Sequence, residues 1–490
     1  MHASDVLKIL QKDKAGYVYT DFEVAGVSVD SRTTGKGYCF VAVKGGQSDG
    51  HDFIVPAIER GARIIVYDHD IDHSITKTSE DILFVNTADS RKALALLACE
   101  YFGNPSERLK SIGITGTNGK TTVSYLIDHI FEYNRIKSGL IGTIEYRVSD
   151  HVISAVNTTP DAVKIQHLLH HMVDHGLTHN IMEVSSHALD QFRTYGIEFK
   201  TAVFTNLTHD HLDYHKDLDT YFKAKAVLFE SLNKGSFAVV NADDGCADKL
   251  ISVTKADVLT YSIKRKNTDL KAEDIKLGIE NTEFRLLYKN KSYQILFPLI
   301  GRHNVYNLLA AIGAAISEGI SIENIRRAVT DLPQVRGRLE KVKNNRGLQV
   351  FIDYAHTDDA LENVLKTLRE LAPERIITVF GCGGDRDKQK RKLMGSVASR
   401  LSDIVVLTND NPRSEDPDSI LNEIASGFVP GFDACEIIAD RKTAIEKACS
   451  IADKGDFVLI AGKGHEKSQI FKDNTIDFDD KKVAEQYLTK

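Results

Sequence analysis

An α/β fold in three domains is what this sequence predicts, and three observations carry the prediction. The chain has 490 residues, where one domain usually takes ~100–200. Short β-branched runs alternate with segments of helical periodicity, the rhythm of a parallel sheet covered by helices. One strand-to-helix junction, at residues 116–120, is a glycine loop of the kind that holds phosphate. The texture shifts near residues 88 and 338, dividing the chain into domains at 1–88, 89–338 and 339–490.

The first region sets apolar runs at 38–43 and 63–67 around a glycine-rich turn, KGGQSDG (44–50). The second opens on a helical pattern at 90–102. Next comes the apolar run 112–115, then Gly116, Thr117, Asn118, Gly119 and Lys120. Val123, Leu126, Ile127, Ile130 and Phe131 follow at i, i+3, i+4, i+7 and i+8. This is strand, tight loop and amphipathic helix. The two glycines let backbone N–H groups turn inward on a phosphate, and the helix N-terminus adds partial positive charge. Lys120 then neutralises β/γ oxygens, and the Thr121 hydroxyl is placed for Mg²⁺. The strict pattern has glycine where this chain has Ile114.

Further on, Glu183 ends the apolar strand 181–184, a usual place for a group reaching into an α/β active site. The segment TNLTHDHLDYH (205–215) follows the strand 202–206 and packs three His and two Asp into eleven residues. A helix at 221–229 carries Lys225. A zinc site is disfavoured, because neither a thiolate nor a HExxH pair accompanies the His/Asp cluster. Mg²⁺ prefers oxygen, which suits Glu183 and Thr121. The third region sets strands at 350–354, 376–380, 404–408 and 457–461 between helical patterns such as 360–371 and 441–452.

Composition narrows the function classes. Hydrophobic residues make up 42% and charged residues 27%, which gives ample core and excludes wholesale disorder. Nine Pro and 33 Gly exclude a collagen-like or proline-rich rod. The net charge of −7 is spread along the chain and argues against nucleic acid as a partner. The most apolar stretch, 308–316, is far below the ~20 residues of a membrane span, so none is expected. Charges run through the first fourteen residues, leaving no apolar core for a secretory signal. The six cysteines lack CxxC or framework spacing, which fits reduced thiols in the cytoplasm.

Eleven blocks, taken in order, make the sequence recognisable. They are VDSRTTGKGYCFVAVKG (29–45), GTNGKTT (116–122), NTTP (157–160), EVSSHAL (183–189), DHLDYH (210–215), GRHNVYN (301–307), GRLE (337–340), DYAH (353–356), GCGGDRD (381–387), DNPR (410–413) and GKGHE (462–466). With these the chain resembles the Mur ligase family, ATP-dependent enzymes that add amino acids to the peptidoglycan stem peptide. EVSSHAL, GCGGDRD, DNPR and GKGHE are similar to the branch that adds the third residue, a diamino acid, to UDP-N-acetylmuramoyl-L-alanyl-D-glutamate.

The resemblance implies an N-terminal domain for UDP, a central P-loop ATPase-like domain and a C-terminal Rossmann-like domain for the amino acid. It implies ATP at Gly116, Thr117, Asn118, Gly119, Lys120, Thr121 and Thr122, with Asn304 and Asn307 at the base. Arg338 and Asp353 reach the nucleotide from the domain junction and the third domain. The UDP-muramoyl-dipeptide falls to Ser31, Arg32, Asn157, Thr158, Thr159, Ser185, Gln191 and Arg193. Lys120, Glu183, His211, Lys225 and Arg338 are the implied catalytic residues. Two Mg²⁺ sites are implied, drawing on Thr121, Glu183, His211 and Lys225, the last as a carbamate.

For the amino acid the resemblance implies Arg386, Asp410, Asn411, Pro412, Arg413, Gly462 and Glu466. Arg413 can grip a carboxylate with two parallel hydrogen bonds and repels an ammonium. It therefore favours meso-diaminopimelate over L-lysine, while Glu466 suits the distal amino group. The expected protein is a cytoplasmic monomer acting on small molecules.

Arg336 and Asp358 stand where relatives often have Pro, which is expected to loosen the backbone. Two rivals remain: a folylpolyglutamate synthase-like ligase, which shares the GTNGK loop, and a GTP-dependent switch reading guanine through TKAD (254–257).

Overall fold

The computed structural model describes residues 1–489 except 18, 47, 73, 74, 76–80, 209 and 211, with 212 and 213 as backbone only. Its first sheet is parallel and runs in chain order through Gly26–Ser28, Tyr38–Val41, Ile64–Tyr67 and Leu83–Asn86. Alternate residues of these strands serve two cores. Cys39, Val41, Ile64 and Val66 face helix Ser90–Tyr101, while Phe40 and Ile65 face helix Ile54–Glu59.

The second sheet has the phosphate-loop strand near its middle. Lys110–Thr115 pairs in parallel with His179–Glu183 on one side and Phe199–Phe204 on the other. Phe237–Asn241 and Asp257–Ser262 continue the parallel run. Burial on both faces explains why these strands read as unbroken apolar runs. Val203 packs under helices Lys120–Tyr133 and Arg302–Ser317, whereas Ala202 and Phe204 pack under Ala162–Asp174 and Leu218–Glu230. The apolar stretch 308–316 lies within helix Arg302–Ser317, and no described helix is long and apolar enough to cross a membrane.

Antiparallel strands close this sheet at both ends, and the sequence analysis did not anticipate them. Leu270–Leu277, Thr282–Tyr288 and Lys291–Phe297 form one end. The last two meet in a two-residue turn at Lys289 and Asn290, whose φ values of 48° and 59° are those of a hairpin turn. That turn usually announces itself with glycine; here Lys-Asn disguises it.

The third sheet runs Glu340–Lys341, Gln349–Asp353, Phe457–Ala461, Ile376–Phe380, Ile404–Leu407 and Cys435–Ile437, parallel except for the first pair. The chain is thus mixed α/β around three main sheets, as the sequence rhythm predicts. Asp358 begins helix Asp358–Glu370, whose start is capped by Thr357 Oγ1 accepting from Ala360 N at 3.2 Å. The absence of proline there leaves no loosened end, because an acid in the first turn favours the helix dipole. TKAD precedes strand Asp257–Ser262 and so sits at the amino edge of the sheet, opposite the phosphate loop. It cannot read a base bound at that loop.

Candidate active site

The phosphate loop owes its shape to glycines pressed against the neighbouring strand end. A Cβ on Gly116 (φ 147°) would stand 1.9 Å from Thr205 Oγ1, and one on Gly119 (φ 90°) 2.4 Å from Asn307 Oδ1. Asn206 closes the turn: its carbonyl accepts from Thr117 N at 2.8 Å and its Oδ1 from Asn118 N at 2.9 Å. Thr205 Oγ1 donates to the Asn118 carbonyl at 2.6 Å. Lys120 folds back over the loop, with Nζ donating to the carbonyls of Gly116 and Thr117 at 2.8 Å each. Burial lowers its pKa, opposed by the charges of Glu183 and Asp210. Thr122 is buried in the helix that follows.

Glu183 is fully buried at the end of its strand, yet three donors hold it. Thr121 Oγ1 donates to Oε2 at 2.9 Å; Thr143 donates from N to Oε1 at 2.8 Å and from Oγ1 to Oε2 at 2.9 Å. A Cβ on Gly142 would come within 2.4 Å of Oε1, so the carboxylate has a fitted cradle. The Thr121 hydroxyl and the Glu183 carboxylate offer oxygen alone, a ligand set that fits Mg²⁺ and not a thiolate-loving metal.

Behind Glu183 the muramoyl-peptide candidates form a chain of contacts. Thr158 Oγ1 lies 3.1 Å from Thr143 Oγ1, and Thr159 Oγ1 donates to the Glu183 carbonyl at 2.7 Å. Ser185 N donates to Thr159 Oγ1, and Arg193 donates to the Thr159 carbonyl and to Gln191 Oε1. The Asn157 carbonyl accepts from Tyr146. Ser31 and Arg32 lie elsewhere, on a turn of the first sheet where Arg32 pairs with Asp30 at 2.7 Å.

Lys225 is 1% exposed, with Nζ 4.2 Å from the Tyr221 ring centroid. Burial and the like charge of Lys120 hold its pKa well below that of an ordinary lysine, so its amine is disposed to lose its proton. His211 lies outside the described residues.

The third sheet meets this shelf at Arg338, whose Nη2 donates to Thr121 Oγ1 at 3.1 Å. Its guanidinium lies 5.0 Å from the Tyr354 ring centroid. Asp353 accepts from Leu339 N at 2.7 Å and Ala355 N at 2.8 Å, while burial raises its pKa against the pull of Arg338. Asn304 and Asn307 are buried and bonded to each other at 3.0 Å.

Across the same seam, Asp359 Oδ2 accepts from Asn118 Nδ2 and Thr208 Oγ1, each at 2.9 Å. His465 bonds the Thr143 backbone, and burial followed by Arg338 lowers its pKa to about 3.

Three loops of the third sheet, after strands Ile376–Phe380, Ile404–Leu407 and Phe457–Ala461, make a second polar pocket. Gly383 makes room for two arginine side chains; a Cβ there would lie 2.9 Å from Arg413 Nη1 and 3.9 Å from Arg386 Cγ. Arg413 has φ 54° and donates to the Gly384 carbonyl at 2.7 Å. Pro412 packs its carbonyl against Gly384, and Gly462 (φ 110°) leaves room for Asp410 Oδ2. Asn411 Nδ2 donates to Glu466 Oε2 at 2.9 Å. The fully buried Lys463 donates to both, at 2.9 Å to Asn411 Oδ1 and 3.0 Å to Glu466 Oε2. Glu466 therefore already has a cation beside it, which sequence reasoning did not foresee.

Thr143, Thr205, Asn206, Asp359, Lys463 and His465 escaped the sequence analysis as site residues. Thr205, Asn206, Lys463 and His465 stood inside quoted blocks; Thr143 and Asp359 are revealed only by contacts between distant segments.

Comparison with known proteins bears on all three regions. Residues 23–102 match the family described as Mur ligase family, catalytic domain; 114–315 match Mur ligase middle domain; 337–464 match Mur ligase, glutamate ligase domain. A Clostridium tetani protein named UDP-N-acetylmuramoyl-L-alanyl-D-glutamate–2,6-diaminopimelate ligase is 43% identical over 492 residues, covering 100% of this chain and 99% of its own. A solved structure bearing the same ligase name is 33% identical with a TM-score of 0.67, covering 94% of each chain. Mycobacterium tuberculosis folylpolyglutamate synthase, complexed with ADP and AMPPCP, shares the fold at 19% identity and a TM-score of 0.63, covering 76% of this chain and 92% of its own.

Proposed function

The chain belongs to the Mur ligase family, and we propose that it joins meso-2,6-diaminopimelate to the D-Glu γ-carboxylate of UDP-N-acetylmuramoyl-L-Ala-D-Glu at the cost of ATP. The observation that carries the reading is the Thr121 hydroxyl, bonded on one side to buried Glu183 and on the other to Arg338 from the far side of the seam. A phosphate loop joined to a buried carboxylate and to a guanidinium from another sheet is machinery for phosphoryl transfer between two bound partners.

A carboxylate repels an incoming amine and has no good leaving group. Transfer of the γ-phosphoryl group to it releases ADP and gives an acyl phosphate. The free amine of the diamino acid then attacks the carbonyl carbon, loses a proton and expels inorganic phosphate as the amide forms. Lys120 leaves its own loop's carbonyls for the phosphate oxygens, and loop N–H groups complete the cradle. Asn304 and Asn307 stand at the base, and Arg338 with Asp353 draws the third domain over the nucleotide, excluding water from the acyl phosphate.

Mg²⁺ fits the oxygens of Thr121 and Glu183, with His211 and a carbamate on Lys225 as further ligands. When bound it neutralises charge on the transferring phosphate. Lys225 is suited to the carbamate because only a neutral amine takes up CO₂, and burial favours that form.

The dipeptide is held by Asn157, Thr158, Thr159, Ser185, Gln191 and Arg193, and its uridine end by Ser31 and Arg32. Arg413 and Arg386, flanking Gly383, select a ligand with a distal carboxylate. The enzyme acts in the cytoplasm as a monomer. ADP release tests the reading: it should require UDP-muramoyl-dipeptide and meso-diaminopimelate together, with L-lysine at least ~100-fold poorer in kcat/KM. Equal use of L-lysine would overturn the amino-acid assignment, and release that needs neither substrate would overturn the ligase.

A further inference from the structure

At the carboxyl edge of the first sheet two histidines stack between two aspartates, sharing no residue with the proposed ligase site. The rings of His51 and His69 have centroids 3.5 Å apart. Asp49 caps one end of the stack, with Oδ1 2.7 Å from His51 Nδ1 and Oδ2 3.4 Å from His69 Nε2. Asp68 caps the other, with Oδ1 3.0 Å from His69 Nδ1 and 3.4 Å from His51 Nε2.

The two carboxylates differ in what fixes them. Asp68 Oδ2 is anchored by Ser90, which donates from N at 3.0 Å and from Oγ at 2.8 Å. Asp49 belongs to the turn that carries His51, where its Oδ1 accepts from His51 N at 3.0 Å. The His51 side chain is 7% exposed, while those of Asp49 and His69 are 25% and 44% exposed. The Asp68 side chain is 24% exposed, much as that of Asp49 is, so the ends differ in the Ser90 anchor behind Asp68, and it is the His69 ring that opens the stack to solvent.

We propose that Asp49, His51 Nδ1 and His69 Nε2 bind a divalent transition-metal cation of the zinc type, with Asp68 orienting both imidazoles from behind. One ligand atom from each of the three lies within 4.8 Å of the others, so a small side-chain movement brings them inside the ~4.4 Å that two bonds of ~2.2 Å to one ion can span. Two imidazoles and one carboxylate suit zinc, nickel or copper rather than Mg²⁺ or Ca²⁺. Metal-bound histidines place the remote ring nitrogen on a carboxylate, which fixes tautomer and ring orientation; Asp68 Oδ1 does this for His69, and for His51 it stands 3.4 Å from Nε2, which in the metal-free chain accepts from the Asp68 N–H. The exposed side leaves room for a water ligand. The ion ties the turn after strand Tyr38–Val41 to the end of strand Ile64–Tyr67, beyond the backbone bond from Ala42 N to the Val66 carbonyl at 2.8 Å.

Zinc titration of the EDTA-treated full-length chain by calorimetry tests this, with Co²⁺ absorption as a spectroscopic readout. One saturable site per chain is expected. It should vanish in His69→Ala and in His69→Gln, and weaken about 10–100-fold in Asp68→Asn. His167 and His171, whose Nε2 atoms lie 3.1 Å apart on helix Ala162–Asp174, are the rival pair. Replacing both with alanine should leave the site intact. Unchanged metal-free melting of the His69 variants shows that lost binding is not lost folding. Absence of saturable binding, survival of binding in both His69 variants, or its loss with the helix pair overturns the proposal.

Discussion

The phosphate loop and the pocket around Arg413 handle positive charge in the same way and negative charge in opposite ways. Both rest their key cation on backbone carbonyls: Lys120 on Gly116 and Thr117, Arg413 on Gly384. A carbonyl dipole is a weaker partner than an anion, so each cation is ready to exchange it for a ligand oxygen. The acids differ. Glu183 is held by hydroxyls and one amide, whereas Glu466 already neighbours the Lys463 ammonium. The shelf therefore has an acid free to meet a cation, while the pocket has balanced much of its own charge. A polyanion with its counter-cation suits the first, and a zwitterion suits the second.

Removing each cation in turn is the strongest way to break this comparison. Lys120→Ala should lower kcat on the order of 10²–10³-fold, the usual loss for one transition-state charge partner, whichever substrate is varied. A change confined to the KM for ATP would mean that Lys120 only binds, and the likeness to Arg413 would become closer than argued. Arg413→Ala should act on binding instead. Losing charge-assisted hydrogen bonds worth about 1.5–3 kcal/mol should raise the KM for diaminopimelate roughly 10–150-fold and spare the KM for ATP. Steady-state kinetics with each substrate varied separates these outcomes, and an unchanged diaminopimelate KM would remove Arg413 from the pocket's function.

The two regions also differ in how much of them could be read from sequence. The phosphate loop is local: strand, two glycines, lysine and helix lie within 110–133, so periodicity and turn chemistry expose it directly. Its closure is not local. Asn206 reaches Asn118 across 88 positions and Asp359 across 241, and no spacing rule covers such distances. In the pocket, Arg413 stood out by its chemistry, yet Lys463 passed without a role inside its block until the fold buried it between Asn411 and Glu466. The parallel strands were legible because they are apolar on both faces. The hairpin at Lys289–Asn290 was not, because positive φ was carried there by residues other than glycine.

A gentler test acts on the seam that joins the two regions. His303 lies in the first turn of helix Arg302–Ser317, which packs on the phosphate-loop sheet, and its Nδ1 is 3.2 Å from Thr367 Oγ1 on helix Asp358–Glu370 of the third domain. Burial lowers its pKa to about 4, against ~6.5 for an unfolded chain. As pH falls below 6.5 the unfolded state takes the proton first, so folding loses stability down to pH 4 and little further below it. The slope is ~1.4 kcal/mol per pH unit at most, and the loss reaches about 2 kcal/mol at pH 5. His303→Asn keeps a polar partner for Thr367 without titrating, so its urea midpoint should fall less than that of the parent chain between pH 7 and 5. Parallel pH profiles for the two proteins would mean that the seam tolerates a charged imidazole, and that the two regions are less tightly joined than their contacts imply.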